Sequence, residues 1–382
     1  MSKSNETTPN VPTLRFREFT DSWTLIPIKK MLRFQNGINA DSTKYGKGIK
    51  YISVSDILNN QYITYDCIKG LIDIDEKTFN KFIVEYGDIL FQRSSETFED
   101  IGRANVYLDK EHSATFGGFV IRGKKISDYN PLFFRYLLCT HNARKQTVRM
   151  GAGAQHYNIG QEGLEKICLY FPCIQEQQKI SDLLSAIDNK ISVQNKIISK
   201  YETLIKGLCD KIFRHDKSVC LFDLVKCKAS TLQENEVATY YNGKYNVFGA
   251  SGIIASINKY QFEEDGILVL KDGSKAGKIQ YAGGKYSVVG TSVVLIPNNA
   301  GDARYLYFAM QSIDFDKYKV GSGIPHIYFK DYSCERIYYP TPASRIRIAK
   351  ALDAYETKVE IEKEMLSALQ KQKAFLLQSM FI

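Results

Sequence analysis

The sequence predicts an α+β protein: two mixed α/β domains separated by two long helices packed as an antiparallel coiled coil, with a pseudo-twofold internal repeat. Three observations lead there. A glycine-containing motif, a short β-like stretch and a proline recur in one order about 170 residues apart. Each copy runs into a helical pattern of the same length. The stretches between the helices are rich in short strand signals.

A chain of 382 residues is too long for one ordinary domain and suits two or three. The expected segments are 1–172, a first globular domain with an N-terminal tail, and 173–213, a helical spacer. A second globular domain over 214–340 and a C-terminal helix over 341–382 complete the chain. With 44% hydrophobic and 24% charged residues, the composition argues against wholesale disorder. No apolar run is long enough to span a bilayer, and the polar opening Met1–Asn10 lacks a signal-peptide core, so the expectation is a cytoplasmic protein with no membrane partner. Lys plus Arg exceeds Asp plus Glu by 51 to 42, a modest basic excess of the sign that phosphates attract. The eight cysteines form no C-x-x-C pair, so they read as reduced thiols and not as a metal site.

The repeat carries most of the argument. Gly151–His156 (GAGAQH) reappears as Gly321–His326 (GSGIPH), an offset of 170. Ile167–Pro172 (ICLYFP) and Ile337–Pro340 (IYYP) follow, and from Pro172/Pro340 onward the offset is 168 without a gap. In the first helix the heptad seam falls on Ile180, Leu184, Ile187, Ile191, Gln194, Ile198, Tyr201, Ile205, Leu208 and Ile212, nine of ten apolar. In the second it falls on Ile348, Leu352, Tyr355, Val359, Glu362, Leu366, Leu369, Lys373, Leu376 and Met380, eight of ten apolar. Gln194 and Glu362 occupy matching seam positions, and a polar residue there fixes register. Each pattern covers roughly 33 residues, or about 50 Å of helix. Packed antiparallel, the pair would make a stiff rod with one globular domain at each end, the shape of a caliper.

The globular segments share landmarks. Tyr86–Phe91 matches Glu264–Val269, each a turn entering an apolar strand; Ile101-Gly102-Arg103 matches Ala276-Gly277-Lys278; Pro131–Leu137 matches Ala303–Phe308, a short helix with core aromatics. Between these landmarks lie the candidate DNA contacts. Gln92, Arg93, Ser94, Ser95 and Arg103 in the first segment, and Lys271, Ser274, Lys275 and Lys278 in the second, offer donors and acceptors for base edges or phosphates. Gln155, His156 and His326, in the glycine loops, join them. No second histidine, cysteine pair or carboxylate stands at a fixed spacing to make either histidine a metal ligand or catalytic base, so a loop or DNA-backbone role is expected.

Catalytic signatures are missing. The chain has no Walker-type phosphate loop, no complete dinucleotide fingerprint, no Asn-Pro-Pro-aromatic motif and no nuclease-like carboxylate–lysine cluster. It reads as a binding protein without chemistry or cofactor of its own. A scaffold whose globular ends bind proteins and not DNA is the alternative.

Four stretches resemble one family, the specificity subunits of Type I restriction–modification systems. These are Pro12–Trp23 (PTLRFREFTDSW), Pro172–Ile180 (PCIQEQQKI), Lys206–Phe213 (KGLCDKIF) and Ala374–Phe381 (AFLLQSMF). The resemblance implies a non-catalytic subunit with two target recognition domains, each reading half of a bipartite, asymmetric site in double-stranded DNA. It implies helices that dock two methyltransferase subunits, with restriction/translocase subunits joining them. S-adenosylmethionine, ATP and Mg would then sit on those partners. The second copy departs from the pattern, with Ser344-Arg345 where Glu176-Gln177 stand. That departure weakens the expectation that the two helices dock partners equivalently, and leaves their equivalence open.

Overall fold

The computed structural model describes residues 10–153, 156–214, 218–237, 242–321 and 323–382. They divide into two compact units, the described parts of Met1–Val193 with Leu366–Ile382, and of Gln194–Met365. These boundaries differ from the sequence segments because parts of both long helices fall in each unit. No described helix is long and apolar enough to cross a membrane.

In the first lobe, Leu32–Asn36, Val120–Lys125, Ile89–Gln92 and Ala104–Val106 lie side by side in that order, all antiparallel. A three-stranded sheet orders Leu71–Ile72, Tyr45–Ile52 and Thr115–Phe116, the last pair parallel. Thr24–Pro27 pairs with Cys168–Phe171. The second lobe repeats all of this. Its four-stranded sheet runs Val225–Ala229, Ser292–Pro297, Gly266–Leu270, Ile279–Ala282. Its three-stranded sheet runs Gly252–Ile257, Tyr245–Gly249, Tyr286–Val288, again with the last pair parallel. Val219–Cys220 pairs with Arg336–Ile337. The duplication inferred from a few landmarks extends to every sheet.

The strands Ile89–Gln92 and Gly266–Leu270 explain why those landmarks survived. Both are buried at every position, so alternate side chains must fill opposite faces. Ile89 and Phe91 enter the main core of the first lobe while Leu90 enters a second cluster behind it. Ile267 and Val269 against Leu268 do the same in the second lobe.

The aromatic helices are Pro131–Leu138 and Ala303–Met310. Asn130 caps the first, its side chain accepting from the Phe133 N–H at 2.8 Å, with Pro131 at the first helical position where no N–H is needed. Phe133 stacks on Phe381 and meets Trp23 edge-on; in the second lobe Tyr305 meets Phe213 edge-on. Phe213 and Phe381 are 168 apart, so each lobe is closed by an aromatic at the end of one long helix or just past the end of the other.

Those helices span Ile174–Phe213, 40 residues, and Pro342–Ser379, 38 residues, longer than the seam alone indicated because each begins soon after its proline strand. They are antiparallel within each lobe. In the first, Ile180, Leu184 and Ile187 share a core with Leu376 and Met380, and Asp188 pairs with Lys373 at 2.5 Å. In the second, Cys209 and Phe213 share a core with Ala349 and Leu352. Gln194 Nε2 donates to the Glu362 carbonyl at 3.0 Å and to its carboxylate. Of the other seam residues, Ile198 and Val359 are buried, and Ile191, Leu208, Ile348 and Leu366 are half-buried. Tyr355 departs from the seam expectation and is exposed; the next residue, Glu356, faces the lobe and accepts from the Tyr307 hydroxyl at 2.7 Å.

Candidate nucleic-acid interface

In both lobes the central buried strand runs past the sheet edge and its extension meets the glycine loop. In the first lobe, Arg93 donates its N–H to the Phe119 carbonyl at 2.9 Å and accepts from the Ile159 N–H at 3.0 Å. Ser94–Ser95 then pairs antiparallel with Tyr157–Asn158. In the second, Lys271 donates to the Thr291 carbonyl and accepts from the Ile327 N–H, each at 2.9 Å, and Asp272 bridges His326. Arg93 therefore corresponds to Lys271, Ser94 to Asp272, and Asn158 to His326.

This ladder corrects the alignment of the glycine motif. The sequence offset of 170 paired His156 with His326; the hydrogen bonds give 168, the offset of the helices, and pair Asn158 with His326. Gly153 then matches Gly321, and both have positive φ, +139° and +96°, in the region that favours glycine. The motif carries two glycines two residues apart, so the two frames look alike until the backbone pairs are known.

At the corrected positions the two side chains are bonded to each other in both lobes. Ser94 Oγ donates to Asn158 Oδ1 at 2.5 Å, and His326 Nδ1 lies 2.8 Å from Asp272 Oδ1. One lobe presents a neutral hydroxyl–amide pair and the other a carboxylate–imidazole pair on the same backbone.

The remaining candidates divide by exposure. Gln92 is buried and donates to the Ser94 carbonyl at 2.9 Å, and Ser95, also buried, accepts from the Thr97 N–H at 3.2 Å. Both support the loop from inside. Arg93 is half-buried, with Nη1 3.3 Å from the Gly118 carbonyl. His156, Ser274, Lys275 and Lys278 are exposed, and Lys271 is half-buried with Nζ 3.9 Å from Asp272. Gln155 lies outside the described residues.

Arg103 and Lys278 each follow a glycine of positive φ, Gly102 at +64° and Gly277 at +90°. Arg103 pairs with Asp100 at 2.6 Å. The Thr97 hydroxyl, and then Arg103, hold the Asp100 carboxyl below its usual range. Sequence reasoning passed over Asn158, for want of the 168 offset, and took Asp272 only as part of the loop from Lys271 to Lys275. Two apolar side chains also stand out beside these positions: Phe119, next to Arg93, is 69% exposed, and Ile324, in the second glycine loop, is 63% exposed. Among the described residues no three His, Cys, Asp or Glu side chains converge on a metal position.

Two lobes of one topology, presenting the same backbone surface with different side chains and rooted in long helices, define a duplicated α/β binding protein. The sequence model described as "Type I restriction modification DNA specificity domain" matches residues 23–203 and 217–371, and the chain belongs to that family. The fold is similar to a crystal structure of the S subunit of a Type I restriction–modification system from M. genitalium. That comparison gives a TM-score of 0.67 at 17% identity, over 97% of this chain and 99% of the other. A second similar chain comes from a structure described as the basis of "complex assembly and conformational transition of the type I R-M system". It has a TM-score of 0.54 at 12% identity and covers 93% of this chain and 96% of its own.

Proposed function

We propose that this chain is the DNA-reading subunit of a Type I restriction–modification complex, without catalysis of its own. Each lobe reads one half of a bipartite, asymmetric duplex site, and the long helices set the gap and dock two methyltransferase subunits. Restriction/translocase subunits join the assembly, and S-adenosylmethionine, ATP and Mg belong to those partners. The observation that carries this reading is the pair of equivalent positions, Ser94/Asn158 and Asp272/His326, which keep one backbone geometry and change chemistry completely. Invariant scaffold with altered donors and acceptors is what reading two different half-sites requires. An exposed aromatic and an exposed aliphatic beside these pairs suit apolar contact with base edges or thymine methyls.

Purified chain should not methylate DNA, and adding the methyltransferase subunit should yield sequence-specific adenine methylation. Duplex affinity should fall steeply as salt rises. Methylation by the chain alone would refute the assignment, and absence of duplex binding at low salt would favour a protein-binding scaffold. Exchanging 214–340 for the corresponding segment of another family member should change one half-site and leave the other. The 40-residue helix spans about 60 Å, so inserting a heptad into both helices should change the gap alone.

A further inference from the structure

A cavity of about 240 Å³ in the first lobe is lined by three arginines, Arg103, Arg135 and Arg144, with Ile57, Asn60 and Leu138 among its walls. Their charges are poorly answered. Among the described residues Arg135 has one ion-pair partner, Asp188, 3.9 Å from its Nη1, and lies over the Tyr136 ring; Asp188 is already held by the Tyr136 hydroxyl at 2.8 Å and Lys373 at 2.5 Å. Arg135 Nε is buried and, among the described residues, has no hydrogen-bond partner. Arg144 donates Nη2 to the Glu99 and Ile101 carbonyls at 2.9 and 2.7 Å, and no described carboxylate lies within ion-pair distance of it. Arg103, at the exposed side, has Asp100. Burial and the neighbouring Arg103 both lower the affinity of Arg144 for its proton, as like charges gathered around an empty space would.

The second lobe shares the buried Nε without a described partner, on Arg304, but answers the charge of that arginine. On the corresponding aromatic helix, Arg304 touches the carboxylates of Asp353 and Glu356 and lies over the rings of Tyr281, Tyr307 and Phe308. A buried guanidinium nitrogen left without a partner, beside a cavity that three arginines line, calls for an anion. Guanidinium forks match the oxygens of a tetrahedral phosphoryl group. The volume falls below the roughly 300–1,000 Å³ of pockets that take whole small molecules, so it suits one phosphoryl group and not a nucleotide.

We propose that the Arg103–Arg135–Arg144 cavity is a phosphoryl-anion site. Arg144 ties the cavity to the carbonyls of the 99–101 turn, which leads into the candidate reading surface at Arg103. A backbone phosphate of the bound duplex is therefore one source of the anion, and free phosphate is the other. The duplex source rests on the DNA-reading function proposed above; the free source does not.

The test titrates inorganic phosphate into the full chain at ionic strength matched with chloride, and reads its dissociation constant by calorimetry. Arg135→Gln should weaken phosphate at least tenfold, and Arg135→Lys, which keeps charge but loses the fork, should fall between. Arg144→Gln should do the same; because it also loosens the 99–101 turn, its folding is checked by circular dichroism, and Arg135→Gln carries the result if it fails. In a parallel arm, the slope of log affinity against log salt for duplex should shrink by about one in Arg135→Gln if a backbone phosphate sits there. Phosphate weakening with an unchanged slope assigns the cavity to the free anion. Wild-type chain that binds no phosphate, together with an unchanged slope in the variants, overturns the site. Failure of wild-type chain to bind duplex would instead count against the DNA-reading function, and the phosphate arm would still decide the cavity.

Discussion

The two lobes build the same joint to their long helices from different chemistry. In the first, Gln177 is buried and bridges two backbones, its Nε2 donating to the Pro172 carbonyl and its Oε1 accepting from the Asn130 N–H, both at 3.0 Å. In the second, Arg345 stands 168 residues on and does the same work with charge. Its Nη1 donates to the Pro340 carbonyl at 2.6 Å, and Nε and Nη2 grip the Asp302 carboxylate at 2.8 and 3.1 Å. Asp302 immediately precedes the second aromatic helix, as Asn130 precedes the first. A side-chain amide that bridges two backbone groups has become a guanidinium that bridges a backbone carbonyl and a carboxylate. The first lobe has its own ion pair beside the joint, where Arg15 grips the fully buried Glu176 at 2.7 and 2.8 Å. Serine at 344 removes that acid from the second. In the sequence, Ser344-Arg345 left open whether the two helices dock partners equivalently. Arg345, Glu176 and Gln177 are all buried inside their own lobes, so this departure is an internal substitution of one joint for another.

The largest test of this comparison converts one joint into the other. Arg345→Gln alone should destabilise the second lobe by about 3–5 kcal/mol, because it strands the buried Asp302 carboxylate. Adding Asp302→Asn should recover most of that loss by removing the stranded charge, which leaves an amide beside an amide. No recovery in urea unfolding of the double variant would show that the joints are not interchangeable. In the first lobe Arg15→Ala should cost a similar amount by stranding Glu176. Trp23, the single tryptophan and buried in that lobe, gives a fluorescence signal to follow it.

A smaller and more symmetric effect is expected at the paired glycines. A Cβ at Gly102 would come within 2.4 Å of Thr147 Cγ2, and one at Gly277 within 2.5 Å of Phe315 Cβ, each at positive φ. Gly102→Ala and Gly277→Ala should each cost about 1–3 kcal/mol. Hydrogen exchange should show the loss confined to the substituted lobe. Unequal costs would mean that the two turns are less alike than their backbones.

How far the sequence revealed all this depended on which residues bear constraint. The heptad seams and the strands at Ile89 and Ile267 were legible because burial on a fixed period leaves a pattern any reader can count. The joint was half legible: Gln177 and Arg345 aligned, but their partners Asn130 and Asp302 lie more than 40 residues away, and only the fold brings them together. The contact surface was least legible. Exposed loops carry no period, so Gln92 looked as available as Arg93 although it is buried, and a two-residue slip in the glycine motif hid the Asn158–His326 equivalence. The three-arginine cavity left no trace, because Arg103, Arg135 and Arg144 share neither period nor motif.

The smallest expected effect separates the two joints by pH. Burial raises the Asp302 carboxyl, but its bonds from Arg345 and Tyr339 outweigh this and hold it below the ordinary value. A carboxyl depressed by folding stabilises the native state above its unfolded value, about 3.9, and that contribution is lost as pH falls through the lower folded value. The Gln177–Asn130 joint has no such carboxyl and should be indifferent over the same range. In Arg345→Gln the pull of Arg345 is gone while burial and the Tyr339 bond remain, so the Asp302 carboxyl should rise relative to the wild type. The variant then loses less stability than the wild type as Asp302 is protonated, so the stability difference between them should narrow as pH falls from 7 to about 3. Urea midpoints of both proteins across that range, followed by hydrogen exchange in Ala303–Met310, measure it. A difference that stays constant would mean that Arg345 acts through its bond to the Pro340 carbonyl and its stacking on Tyr339, 3.9 Å from the ring centroid, and not through the charge of Asp302.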